Sequence, residues 1–108
     1  MTCLLVNLDS SAAAQLEAAL VALECPVVTE GSGQGHADLV FCGARSPSLP
    51  GLLRNRPAPV VVVGSEPTEE AWVQAIEAGA ADYLCAGFEL AELRWILRNQ
   101  ESIARTAA

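Results

Sequence analysis

Apolar residues fall along this chain in two rhythms, short unbroken runs and stripes of helical period. The clearest run is Val60, Val61, Val62 and Val63. Four β-branched residues with no polar alternation predict a strand buried on both faces, as at the centre of a parallel sheet. Gly64 and Ser65 break it. Pro67 suits the first turn of a helix, where a missing N–H costs nothing. Thr68, Glu69 and Glu70 bring oxygens and negative charge to that end, where free N–H groups and the helix dipole favour them. The predicted helix runs to Ala78 and stops at Gly79. Residues 81–85 predict a second short strand. Strand, helix and strand in so few residues make a βαβ unit, which is almost always right-handed.

The same rhythms account for the rest of the chain. Residues 3–8 (CLLVNL) predict a first strand, followed by capping oxygens on Asp9, Ser10 and Ser11. A helix over 12–23 follows, its buried stripe made by Leu16, Ala19, Leu20 and Leu23. Residues 27–29 and 39–42 (LVFC) are further strands. Residues 43–51, with Pro47, Pro50 and Gly51, read as a loop, and 52–56 leave about one helical turn before Pro57 and Pro59. The last helix spans 89–104, with Leu90, Leu93, Ile96 and Leu97 as its core stripe and Arg94, Arg98 and Arg105 towards its C-terminal end. Trp72 stands one helical turn before Ile76 and is assigned to the core in preference to the surface. Trp95 falls off the stripe and is expected to point outward, where a tryptophan is a candidate interface anchor.

Composition narrows what such a domain does. The 108 residues suffice for one core and not two, and a 52% hydrophobic, 18% charged chain is not a disordered one. With six Lys+Arg and a net charge of −7, no basic patch can form, which argues against nucleic-acid and membrane-surface binding. No apolar run reaches transmembrane length, and the N-terminus lacks the positive flank of a signal peptide, so a cytoplasmic location is expected. Cys3, Cys25, Cys42 and Cys85 form no C-x-x-C pair, and with one histidine a zinc site is not expected. They read as reduced, buried thiols; a Cys3–Cys25 disulfide is the lesser alternative. No cofactor is expected. Gly31, Gly33 and Gly35 hint at a phosphate loop, but His36-Ala-Asp leads into a strand and not into the helix N-terminus such a loop requires. His36 reads as a solvated loop residue.

EAGAADYL, a turn and Phe88 resemble the end of a response-regulator receiver domain, and the likeness extends over most of the chain. It implies a doubly wound α/β fold, CheY-like, with a five-stranded parallel sheet in the order 2-1-3-4-5 and a crevice at the strands' carboxyl ends. Against that pattern the second helix looks deleted, since residues 30–37 (EGSGQGHA) hold no helical period, and the third looks truncated. One sheet face would then lack a helix.

The family accepts a phosphoryl group on an aspartate. That needs an acidic pair for Mg²⁺, the nucleophile itself, and a Thr or Ser and a Lys to bind the phosphoryl oxygens. The resemblance places the acidic pair on Asn7 and Leu8, with Asp9 next. It places the phosphoacceptor on Gly43, with Pro47 and Gly51 keeping the family's spacing. The Thr/Ser position is Gly64, beside Ser65; the lysine is Ala86 and the following proline Gly87, so a trans peptide is expected there. Every chemical residue is thus replaced while the structural landmarks remain. The implied reading is a degenerate pseudo-receiver, neither an enzyme nor a metal site, that meets a protein partner, an output domain or a second copy through its last helix–strand–helix face. Tyr83 and Trp95 would sit on that face, with Trp72 a further candidate. The alternative is a small-molecule or anion sensor using the glycine-lined crevice. Phosphorylation at Asp9 or Ser65 is disfavoured, because neither lies where the third strand would aim a nucleophile. The final QESIARTAA carries no helix terminator, which fits a single domain continuing into a longer signalling protein.

Overall fold

A computed structural model describes residues 2–29, 37–55 and 58–107. The elements run β1 (Cys3–Val6), α1 (Ser10–Ala22), β2 (Val27–Thr29), β3 (Leu39–Gly43), α2 (Leu49–Asn55), β4 (Val60–Gly64), α3 (Glu69–Glu77), β5 (Asp82–Cys85) and α4 (Leu90–Ala107). The five strands are all parallel, in the order β2-β1-β3-β4-β5. This is the predicted doubly wound sheet. The strand order reverses between β1 and β3, so the connections leave to opposite sides and open a crevice at the carboxyl ends of these two strands.

The pleat divides the core in two. On one face Leu5, Leu39, Phe41, Val61, Val63 and Leu84 pack against Leu16 and Leu20 of α1 and Leu93, Ile96 and Leu97 of α4. On the other face Val6, Val40, Cys42 and Val60 meet Leu49, Leu52 and Leu53 of α2, and Val62 meets Ala75 of α3. Both β3 and the valine run of β4 are buried throughout, as a continuous apolar run requires.

The helix ends show how local chemistry sets the boundaries. Asp9 caps α1 by accepting from the Ala12 N–H at 2.7 Å, and Thr68 caps α3 by accepting from Ala71 at 3.1 Å. Gly79 closes α3 at φ 109, as glycine permits. Glu24 closes α1 at φ 60, a left-handed conformation taken here by a residue with a side chain.

Three expectations change. The helix after β3 begins at Leu49 and not at 52; Pro50 and Gly51 lie in its first turn, where proline's missing N–H removes no intrahelical bond. It remains short, at seven residues. Leu90 is 40% exposed, because Phe88 fills that end of the core and the stripe continues instead to buried Gln100. Trp72 is 45% exposed, contrary to its core assignment. The face of α3 that meets the sheet is Ala75, whose small side chain brings the helix too close to leave room for an indole. The four cysteines are free, Cys3 and Cys42 buried and Cys25 and Cys85 half-buried, so no Cys3–Cys25 disulfide forms. The glycine-rich segment and His36 lie outside the described residues. Among the described residues no peptide bond is cis, and no helix is long and apolar enough to cross a membrane.

Burial pushes the Cys3 thiol up from its ordinary value of 9.0 to about 12. The unfolded chain therefore loses this proton first. The stabilisation is complete below pH 9 and falls as pH rises towards 12, which alkaline denaturation will show. At neutral pH a thiol reagent will label Cys25 and Cys85 in the folded protein and reach Cys3 and Cys42 only on unfolding. Glu24→Gly relieves the left-handed strain and will stabilise the fold by about 0.5–1 kcal/mol in urea denaturation.

Candidate functional site

The carboxyl ends of β1, β3, β4 and β5 surround a cavity of about 810 Å³. The sheet brings together there the residues that the resemblance singled out: Asn7, Leu8, Asp9, Gly43, Gly64, Tyr83 and Ala86 all line it. It extends between α2 and α3 over Leu49, Leu53, Val62 and Ala75. One end is therefore polar and the other apolar.

Asn7 makes the polar end. Its backbone turns left-handed, φ 49, immediately after β1. Asparagine tolerates this conformation better than most residues. The side-chain amide donates to Ser46 Oγ at 2.8 Å and Ser48 Oγ at 3.3 Å, tying the end of β1 to the loop before α2. Ser46 Oγ also accepts from the Ser48 N–H at 3.1 Å. Ser46 and Ser48 are functional-looking residues that sequence reasoning missed, since nothing local marks two serines as partners of a residue on another strand.

The turn at Asn7 places its carbonyl oxygen over β3. A Cβ added at Gly43 would stand 2.6 Å from that oxygen. The obstacle is backbone and cannot swing aside. Position 43 is therefore glycine for a steric reason, and the place where a side chain would emerge from β3 is filled by the main chain of the turn that follows β1.

Gly64 is blocked differently. A Cβ there would meet the Tyr83 hydroxyl and come within 2.9 Å of its Cε1. The Tyr83 ring lies over the end of β4, and its hydroxyl donates to the Glu66 carbonyl at 2.8 Å. Burial pushes its phenol above the ordinary value of 10.0. Tyr83 is half-buried at the sheet edge.

The loop after β5 is held by another residue that the sequence did not announce. Gln15 of α1 accepts from the Gly87 N–H at 3.2 Å and donates to the Phe88 carbonyl at 3.2 Å. Ala86 donates its N–H to the Gly64 carbonyl at 2.7 Å and presents only a methyl group to the crevice.

A divalent cation needs several oxygen ligands. The Asp9 carboxylate is drawn into capping α1, the Asn7 N–H groups face serine oxygens, and Gly43 contributes no side-chain oxygen. Among the described residues no three His, Cys, Asp or Glu side chains stand close enough to hold a metal. These residues do not fit a magnesium site.

Trp95 is 62% exposed on α4, as its place off the stripe predicts. It borders a second cavity of about 270 Å³ with Asp82, Tyr83, Leu84, Glu92 and Ile96. Trp72 lies on α3 and lines neither cavity.

The two glycines should respond differently to a methyl group. Gly43→Ala forces backbone to move and will cost about 1–3 kcal/mol in urea denaturation. Gly64→Ala meets the tip of a rotatable side chain and will cost about 1 kcal/mol, the worth of the Tyr83 hydrogen bond.

The sequence matches no protein-family model and no curated protein. Solved structures do match. A response-regulator receiver domain protein from Clostridium thermocellum superposes with a TM-score of 0.78 at 15% identity, over 99% of this chain and 98% of that one. The CheY-like protein tadZ from Pseudomonas aeruginosa gives 0.72 at 22% identity, over 93% and 98%. NtrX from Brucella abortus gives 0.82 at 18% identity, and there 98% of this chain covers 27% of the other. The chain thus has the fold of response-regulator receiver domains.

Proposed function

We propose that this chain is a pseudo-receiver, a non-enzymatic module of bacterial two-component-type signalling that acts without being phosphorylated. The observation that carries the reading is Gly43. At the end of β3, where receivers hold the phosphoacceptor, there is no nucleophile, and the Asn7 carbonyl occupies the space a side chain would need. Ala86 supplies no cation, and Asp9 is engaged in capping. With no chemistry in the crevice, the signal is read as shape on the face made by α3, β5 and α4. Trp95, Tyr83 and Trp72 are its contact residues, and its partner is a protein, an output domain or a second copy. The match to about a quarter of NtrX supports an attachment to other domains.

The crevice volume supports a second reading, a small-molecule sensor, since about 810 Å³ lies within the range of ligand pockets. It ranks second because the crevice polar groups Asn7, Ser46, Asp9 and Tyr83 already bond to one another or to backbone. A tight nucleotide or phosphate ligand would raise the melting temperature in a thermal-shift screen.

Incubation with a small-molecule phosphodonor and Mg²⁺ will leave the protein's mass unchanged. A stable adduct of one phosphoryl group would overturn the reading. Gly43→Asp will not restore phosphorylation and will destabilise the fold, because the carboxylate arrives without space, metal ligands or lysine.

A further inference from the structure

Beyond its polar end the crevice runs into a thinly filled sector of the core. Under α3 the buried partners of Val62 are Ala75 and Ala80, and Leu49, Leu53 and Tyr83 pack there only half-buried. The helix lines the cavity with Ala71, Gln74 and Ala75, while its large apolar residues Val73 and Ile76 do not reach it. Apolar surface on α2 and β4 is therefore left facing the cavity with little opposite it.

The mouth of the same cavity carries opposite charges. Arg45 follows β3 and Glu66 follows β4, and these strands are neighbours, with Gly43 beside Val63. The two loops thus leave the sheet side by side. Both residues are exposed and line the cavity, and neither side chain is paired with a described residue. Asp9, the other carboxylate of the lining, is drawn into the cap of α1.

An apolar recess beside one unpaired cation and one unpaired anion suits a molecule with both charges next to an apolar group. A simple acid would meet Arg45 but face Glu66 with like charge, and a simple amine would have the reverse difficulty. An α-amino acid with a large apolar side chain has neither. Its carboxylate pairs with the guanidinium, which offers two N–H groups at once, and its ammonium with Glu66. Its side chain lies towards Leu49, Leu53 and Val62. We infer that the crevice binds a free apolar amino acid as a zwitterion. The inference rests on the small-molecule reading of the crevice and names the ligand class. It makes no demand on Asn7, Ser46 or Tyr83, whose polar atoms are already engaged, and about 810 Å³ is ample for phenylalanine.

The test is an NMR titration of the ¹⁵N-labelled chain with L-phenylalanine, in mildly acidic buffer that keeps every amine charged. N-acetyl-phenylalanine lacks the ammonium, phenylalaninamide the carboxylate and glycine the apolar group. The expected result is saturable binding of phenylalanine that shifts the amides of Arg45, Glu66, Ala71 and Ala75. The two blocked forms will bind about threefold to tenfold more weakly, as loss of one partly exposed charge pair predicts. Glycine will bind more weakly by over about tenfold, as loss of a buried ring predicts. Arg45→Gln will weaken phenylalanine but not phenylalaninamide, and Glu66→Gln will weaken phenylalanine but not N-acetyl-phenylalanine. Both sites are exposed, so both variants will fold. Equal binding of the blocked forms, shifts scattered over the surface, or variants that weaken all ligands alike would overturn the inference. If phenylalanine does not bind while a nucleotide or phosphate raises the melting temperature, the small-molecule reading stands and the amino-acid site is removed alone.

Discussion

The close approach of the Asn7 carbonyl to the α-carbon of Gly43 governs the carboxyl edge of this sheet. It requires β1 and β3 to be neighbours, which the strand order supplies, and a left-handed turn directly after Val6. It requires glycine opposite. Once main chain fills the gap between the two strands, Asn7 is aimed at Ser46 and Ser48, the loop before α2 is tied down, and Asp9 is placed to cap α1. The polar atoms of the crevice thereby find partners within the protein. Among the described residues no buried side-chain oxygen or nitrogen lacks one, which matters because an unpaired buried polar group costs about 1–3 kcal/mol.

The sheet is the most legible part of this molecule. A strand covered on both faces has no polar side, so the four valines of β4 and the LVFC run of β3 declare themselves. Caps are legible for the same local reason: Asp9 and Thr68 act within three residues of themselves. What escapes the sequence depends on contacts between distant segments. The Asn7–Ser46 bond joins residues 39 apart and the Gln15–Phe88 bond residues 73 apart. Neither has a signature in composition or period. Trp72 misleads for a subtler reason. On a nine-residue helix an indole and an isoleucine one turn apart resemble a core stripe, and only the closeness of Ala75 to the sheet decides otherwise.

The candidate site divides along the same line. The glycines at 43 and 64 are visible in the sequence as missing functional groups. That both are sterically demanded is visible only in the structure, because the groups pressing on them are the Asn7 carbonyl just after β1 and a ring of β5. Absence of chemistry and presence of packing are one fact here. The crevice edge is built from close contacts, and Tyr83 lines both the crevice and the smaller cavity beside Trp95.

The placement of the two indoles also decides how this protein can be watched. Both are substantially in water in the native state, at 45% and 62% exposure. Their emission already has the colour of a solvated ring, so denaturant will scarcely move it. Backbone dichroism follows the loss of structure, while tryptophan light is left free to report whatever docks on the outside.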